Sequence, residues 1–63
     1  MKQKERKNLA KKIAEQERLL ASTEDLAIKA RAESEIMRLS GHVKSLEDMV
    51  IVDDLVREIL KKS

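Results

Sequence analysis

The sequence predicts an all-α fold, a helical hairpin with unequal arms that packs as a coiled-coil-like, homo-oligomeric helix bundle. Three observations predict this class. None of the 63 residues is Pro or aromatic, and only one is Gly. Charged residues make up 41% of the chain, a composition typical of long helices and coiled coils. Apolar residues also recur at helical spacing along most of the sequence. We treat residues 1–63 as a single helical domain.

The first helix is predicted over residues 2–40. From Leu9 onward, spacings that alternate between four and three place a stripe of residues on one helix face, as in a coiled coil. This main stripe comprises Leu9, Ile13, Gln16, Leu20, Thr23, Ala27, Ala30, Ser34 and Met37, and Leu19 and Leu26 widen it. A weaker stripe on another side comprises Ala10, Ala14, Ile28, Ala32, Ile36 and Leu39. Two apolar faces indicate a helix with more than one neighbour.

Residues 22–25 also resemble a helix start, because a hydroxyl cap is followed by acidic residues. A break at this point would divide the chain into three helices. However, reversal between Ala21 and Thr23 would leave a one-residue loop, whereas connections in bundles usually take about two to eight residues. The main stripe also continues through these positions. We therefore expect one long helix, bent here at most.

The turn is predicted at residues 41–44, since Gly41 is suited to the left-handed conformation that often ends a helix. The short helix follows over residues 44–62, with Ser45 as a cap. Its apolar stripe comprises Met49, Val52, Val56 and Ile59. Folded back, this helix would cover only the C-terminal half of the long one. Leu9, Ile13, Leu19 and Leu20 would then lack cover in their own chain, which predicts a homodimer or higher oligomer.

The stripes supply the candidate interface for a second copy or a partner protein. Gln16 lies within the main stripe, where a polar residue either fixes the register of a coiled coil or simply extends its amide to water. We keep both interpretations. The candidate interface residues are Leu9, Ile13, Gln16, Leu19, Leu20, Ala27, Ala30, Met37, Met49, Val52, Val56 and Ile59.

Charge is unevenly distributed along the chain, although the net charge is only +2. Residues 1–12, the basic N-terminal arm, have a net charge of +5, and residues 13–60 have a net charge of −5. The arm is interpreted as solvated helix surface, as a phosphate-binding segment for nucleic acid, or as an anionic membrane contact. Candidate phosphate contacts are Lys2, Lys4, Arg6, Lys7, Lys11 and Lys12.

Enzyme activity is not expected, and we assign no catalytic, cofactor-binding or metal-binding residues. The chain has no Cys and a single His, and His42 falls in the predicted turn. The expected function is a non-enzymatic protein-interaction module, a small regulator or adaptor that works as a homo-oligomer. The alternative is a nucleic-acid-binding regulator, and a membrane-surface binder ranks third. A cytoplasmic location is the default expectation, and no small-molecule substrate is expected.

Overall fold

The computed structural model describes residues 1–62, and within that range it contains three α-helices and no strand. Helix α1 spans Gln3–Ser22, α2 spans Leu26–Ser40 and α3 spans Leu46–Lys62. Helix α1 packs against both α2 and α3, whereas α2 and α3 scarcely touch each other. The all-α class predicted from the sequence is confirmed, and α1 is the central element of the bundle.

The predicted long helix over residues 2–40 is wrong, because the chain turns back between Ser22 and Leu26. Asp25 caps α2: its Oδ1 accepts hydrogen bonds from the backbone N–H groups of Ala27, at 2.9 Å, and Ile28, at 3.4 Å. Thr23 Oγ1 accepts a further bond from the backbone N–H of Asp25 at 3.2 Å. With Asp25 rather than a hydroxyl residue as the cap, the connection has three residues, which is an ordinary length.

The second break lies where the sequence predicts a turn, after Ser40, but its geometry differs from the expectation. Gly41 has φ −65° and ψ −17°, so it is right-handed, and its N–H donates to Met37 O at 3.0 Å. The backbone at position 41 is therefore not left-handed, and its conformation does not require Gly. Ser45 caps α3, which starts at Leu46, by accepting the backbone N–H of Asp48 on Oγ at 3.1 Å.

Helix α3 runs parallel to α1 rather than folding back along α2. Near the start of both helices Arg6 bonds to Asp48, and near their ends Arg18 Nη2 donates to the backbone carbonyl of Ile59 at 3.3 Å. The prediction that the short helix covers only the C-terminal half of the long helix is therefore wrong. Leu9 and Ile13 are buried within their own chain, so they do not require a second copy to cover them.

The core is small and is centred on α1. Its buried residues are Leu9, Ala10, Ile13, Ala14, Leu39, Val52 and Val56, packed against the partly buried Ile36, Val43, Leu55, Ile59 and Leu60. The weaker sequence stripe forms much of the α1 and α2 packing, since Ala10, Ala14, Ala32 and Leu39 are all buried. In contrast, Ala27, Ala30 and Met37 of the main stripe are exposed. The reversal at residues 23–25 turns that half of the main stripe toward solvent.

Candidate functional site

The separation of α2 from α3 leaves a groove with α1 as its floor. We call it the α2–α3 groove, and its volume is about 370 Å³. Helix α1 and helix α2 supply Ile13 and Ile36, and the connection between α2 and α3 supplies Val43. The full lining is Ile13, Glu17, Ile36, Ser40, Val43, Leu46, Met49, Val50, Val52, Asp53 and Val56. Most of this surface is aliphatic, because core residues such as Ile13, Val52 and Val56 also line the groove.

The wall of the groove on α3 is unusually exposed for such apolar side chains. Leu46 is 80% exposed, Val50 60% and Met49 49%. A second, more open cavity shares Glu17 and Ile36 with the first and extends the apolar surface along α2 to Met37, which is 75% exposed. Contiguous exposed apolar surface of this kind marks interaction sites in small proteins.

Acidic side chains supply the charge along this surface. Glu17 lies in the lining of both cavities, Glu33 lies in the second and Asp53 in the first. Asp53 also pairs with Arg57 of the same helix, with Oδ2 3.0 Å from Nη2, but both side chains are exposed, so water screens the pair. Within the described part of the chain, neither cavity has a Lys or Arg in its lining. The groove is therefore apolar with an acidic rim.

The predicted interface residues separate into three groups in the structure. Leu9, Ile13, Val52 and Val56 are buried, although Ile13, Val52 and Val56 still reach the groove. Gln16, Leu20 and Ile59 are partly buried. The exposed members are Leu19, Ala27, Ala30, Met37 and Met49. Only part of the predicted interface thus forms one continuous surface.

The basic arm is part of the bundle and does not project from it, because residues 3–12 belong to α1 and include buried Leu9 and Ala10. Lys2, Lys4, Lys7, Lys11 and Lys12 are exposed. A shallow cavity of about 220 Å³ places Lys7 and Lys11 beside Lys62, with Glu58 among its lining residues. Lysine from the end of α3 therefore joins the predicted basic segment.

Arg6 has a structural contact that distinguishes it from these lysines. Its Nη2 and Nε lie 2.8 and 2.9 Å from Asp48 Oδ1. The Arg6 guanidinium holds the pKa of the Asp48 carboxyl below its ordinary value, and partial burial opposes this effect. Charge alone places Arg6 among the candidate phosphate contacts, and in the structure its guanidinium has an internal carboxylate partner.

No group of three or more His, Asp or Glu side chains in residues 1–62 is arranged to hold a metal ion. His42 lies in the connection between α2 and α3 and is exposed. No described helix combines the length and apolar character that crossing a membrane requires.

Sequence reasoning missed several residues of the groove. Val43, Leu46 and Val50 are not among the predicted interface residues, and Ile36 belongs only to the weaker stripe. Val43 follows no helical periodicity, because it lies in a connection. The adjacent apolar residues Met49 and Val50 were the available signal, since neighbouring side chains on a helix point about 100° apart and a single packed face covers them unequally.

No protein-family model, curated protein or solved structure shows significant similarity to this chain.

Proposed function

We propose that this chain is a non-enzymatic protein-interaction module that binds a partner through the α2–α3 groove. The observation that carries the proposal is the continuous exposed apolar surface from Leu46 and Val50 to Met37. Burying such side chains is favourable by roughly 1.5–3 kcal/mol each when burial is complete. Because these side chains remain exposed in the folded chain, the free energy of burying them is still available to stabilise a complex.

A binding role fits the groove better than a catalytic one. Its polar side chains are carboxylates and the Ser40 hydroxyl, while His42, the only candidate general base at neutral pH, is not in the lining. The predicted homodimer or higher oligomer stays a prediction. Its original basis is weaker, because Leu9 and Ile13 are already buried by the chain's own helices.

A displayed library of randomised peptides, built without bias in charge or in secondary structure, tests this function. We expect wild-type protein to enrich binders that Val50→Glu no longer retains, because a buried carboxylate in the groove carries a large desolvation cost. Leu26→Glu is the matched control: Leu26 is 80% exposed and lines neither cavity of the groove. Enrichment that is equal for wild type and Val50→Glu would contradict the proposal.

Nucleic-acid binding is the second candidate, and one observation favours it. Lys62 lies with Lys7 and Lys11 around a single shallow cavity, which concentrates positive charge on the side of the bundle where α1 meets α3. Lysine clusters of this kind contact phosphates without reading base sequence. No corresponding observation favours the membrane-surface alternative.

A further inference from the structure

We propose that the occupant of the α2–α3 groove is an amphipathic α-helix of a partner protein, with Lys or Arg side chains on either side of its apolar face. The inference rests on the protein-binding function proposed for the groove. It adds the secondary structure and the charge of the partner.

The shape of the groove favours a helix. Its floor and both walls are helical, and residues 1–62 contain no strand whose edge could pair with an extended peptide. Helices that bind grooves insert apolar side chains spaced three and four residues apart. A helix between α2 and α3 would contact both and complete a four-helix arrangement around the core, like that of a four-helix bundle.

The side chains that line the walls suit such a partner. Met49 lines the groove and Met37 lines the adjoining second cavity. Both are long and unbranched, so they adapt to apolar anchors of different shapes. Leu46 and Val50 stand on the α3 wall, while Ile36 lies on the opposite side. The anchors of a bound helix would therefore meet aliphatic groups on each side.

Charge decides between the candidate partners. Glu17 and Glu33 line the two cavities, with no Lys or Arg among the described lining residues. Asp53 also lies in the lining, but Arg57 of the same helix partly offsets its charge. Opposite charges around an apolar contact favour the correct partner and speed association, while like charges disfavour the wrong one. Pairing this groove with the same groove of a second copy would oppose one acidic rim to another. Phosphate-bearing partners meet the same repulsion.

Two matched peptides provide the test. Each has about 18 residues, close to the lengths of α2 and α3, with Leu spaced to form one helical face and a single Trp on that face. The basic probe has Lys at the flanking positions, and the acidic probe has Glu there. The protein has no Trp, Tyr or Phe, so emission from the probe reports its burial without background. We expect the basic probe to bind about tenfold more tightly than the acidic probe, with the difference shrinking as salt increases.

Variants locate the binding and separate its causes. Val50→Glu should abolish binding of the apolar face, and Leu26→Glu, which adds the same charge outside the groove, should not. Glu17→Gln combined with Glu33→Gln should weaken the basic probe several-fold and leave the acidic probe unchanged or tighter. Helical content measured by circular dichroism should match the wild type in each variant.

The outcomes distinguish this inference from the function on which it rests. Equal or tighter binding of the acidic probe would overturn the basic partner while leaving a protein-binding groove. Library binders lost in Val50→Glu, with neither probe binding, would overturn the amphipathic-helix occupant alone. Failure of both probes and of the library would overturn both proposals. A wild-type dimer that Val50→Glu converts to monomer in sedimentation equilibrium would assign the groove to a second copy.

Discussion

Arg6 and Asp48 join the first turn of α1 to the first turn of α3 through a close ion pair, with Nη2 2.8 Å and Nε 2.9 Å from Oδ1. The two side chains are 20% and 13% exposed. The α-amino group of Met1 lies 3.7 Å from Asp48 Oδ2. In sequence, α2 and two connections separate α3 from α1. The ion pair therefore fixes the position at which the start of α3 packs on α1.

Asp48→Asn should therefore lower the thermal midpoint at neutral pH. The folded-state pKa of Asp48 is lowered by Arg6, so its stabilising effect is fully present above the unfolded pKa, about 4. The effect is lost as the pH falls through the folded-state pKa. In thermal melts, the difference in midpoint between Asp48→Asn and wild type should stay constant from neutral pH down to about 4. It should then disappear as the pH falls further and Asp48 becomes protonated in the folded protein.

Glu47→Gln is the control for Asp48→Asn, since Glu47 lies in the same first turn of α3 and is exposed. Its removal changes only the interaction with the helix dipole, which is modest at an exposed site. An equal loss of midpoint in both variants would show that the Arg6 contact contributes nothing specific.

Asp25→Ala should destabilise the protein by about 0.5–2 kcal/mol, the usual cost of losing an N-cap. The Asp25 carboxylate accepts two backbone N–H groups at the start of α2. In one uninterrupted helix the same change would be stabilising, because Ala is the better helix former. Chemical denaturation measures the change in the free energy of unfolding for Asp25→Ala, with Glu24→Ala as the control. A gain in stability for Asp25→Ala would favour the long helix.

Ala10→Leu should destabilise by about 1–3 kcal/mol, because Ala10 is fully buried and extra methylene groups overfill a packed core. Ala27→Leu should change stability by less than about 0.5 kcal/mol, since Ala27 is exposed. The long-helix prediction places Ala27 in the main stripe, among the interface residues, and Ala10 only in the weaker stripe. A neutral Ala10→Leu with a stabilising Ala27→Leu would therefore contradict the observed packing.

Duplex nucleic acid should bind weakly and with strong salt dependence if the cluster of Lys7, Lys11 and Lys62 contacts phosphates. The logarithm of affinity should then fall with the logarithm of salt concentration, with a slope of about −0.9 per phosphate contact. Replacing all three lysines by Gln should make this slope shallower, by an amount equal to the loss of up to about three phosphate contacts. Replacing Lys2, Lys4 and Lys12 by Gln, which removes the same number of charges outside the cavity, controls for net charge. A mobility shift unaffected by the change of Lys7, Lys11 and Lys62 would exclude this cluster.

The second half of the fold was more predictable than the first. Gly41 and Ser45 marked the second connection, because a helix-ending residue was followed by a cap and then acidic residues. The first connection was hidden, since Thr23, Ala27 and Ala30 extend the main stripe at coiled-coil spacing through the break. Asp25 was the missed signal: it is a strong N-cap residue placed directly before Leu26, where α2 begins.

The groove could not be predicted from periodicity alone. A stripe identifies which residues share a helix face, but not whether two helices that pack on a third also touch each other. In the sequence, nothing distinguishes Leu46 and Val50 from the other apolar residues of α3. They are exposed because α3 does not pack closely on α2. Arg6 and Asp48 are 42 residues apart in sequence, so their pairing required knowledge of the parallel α1 and α3 arrangement.

Because α2 and α3 each pack on α1 but scarcely on each other, we expect the two outer helices to open locally in a nearly independent way. Detachment of one outer helix leaves most contacts of the other in place, and amide protons of α1 should exchange last. A helix bound in the α2–α3 groove would contact both outer helices at once. Binding would thereby slow amide exchange in α2 and α3 together and make their opening a single cooperative event.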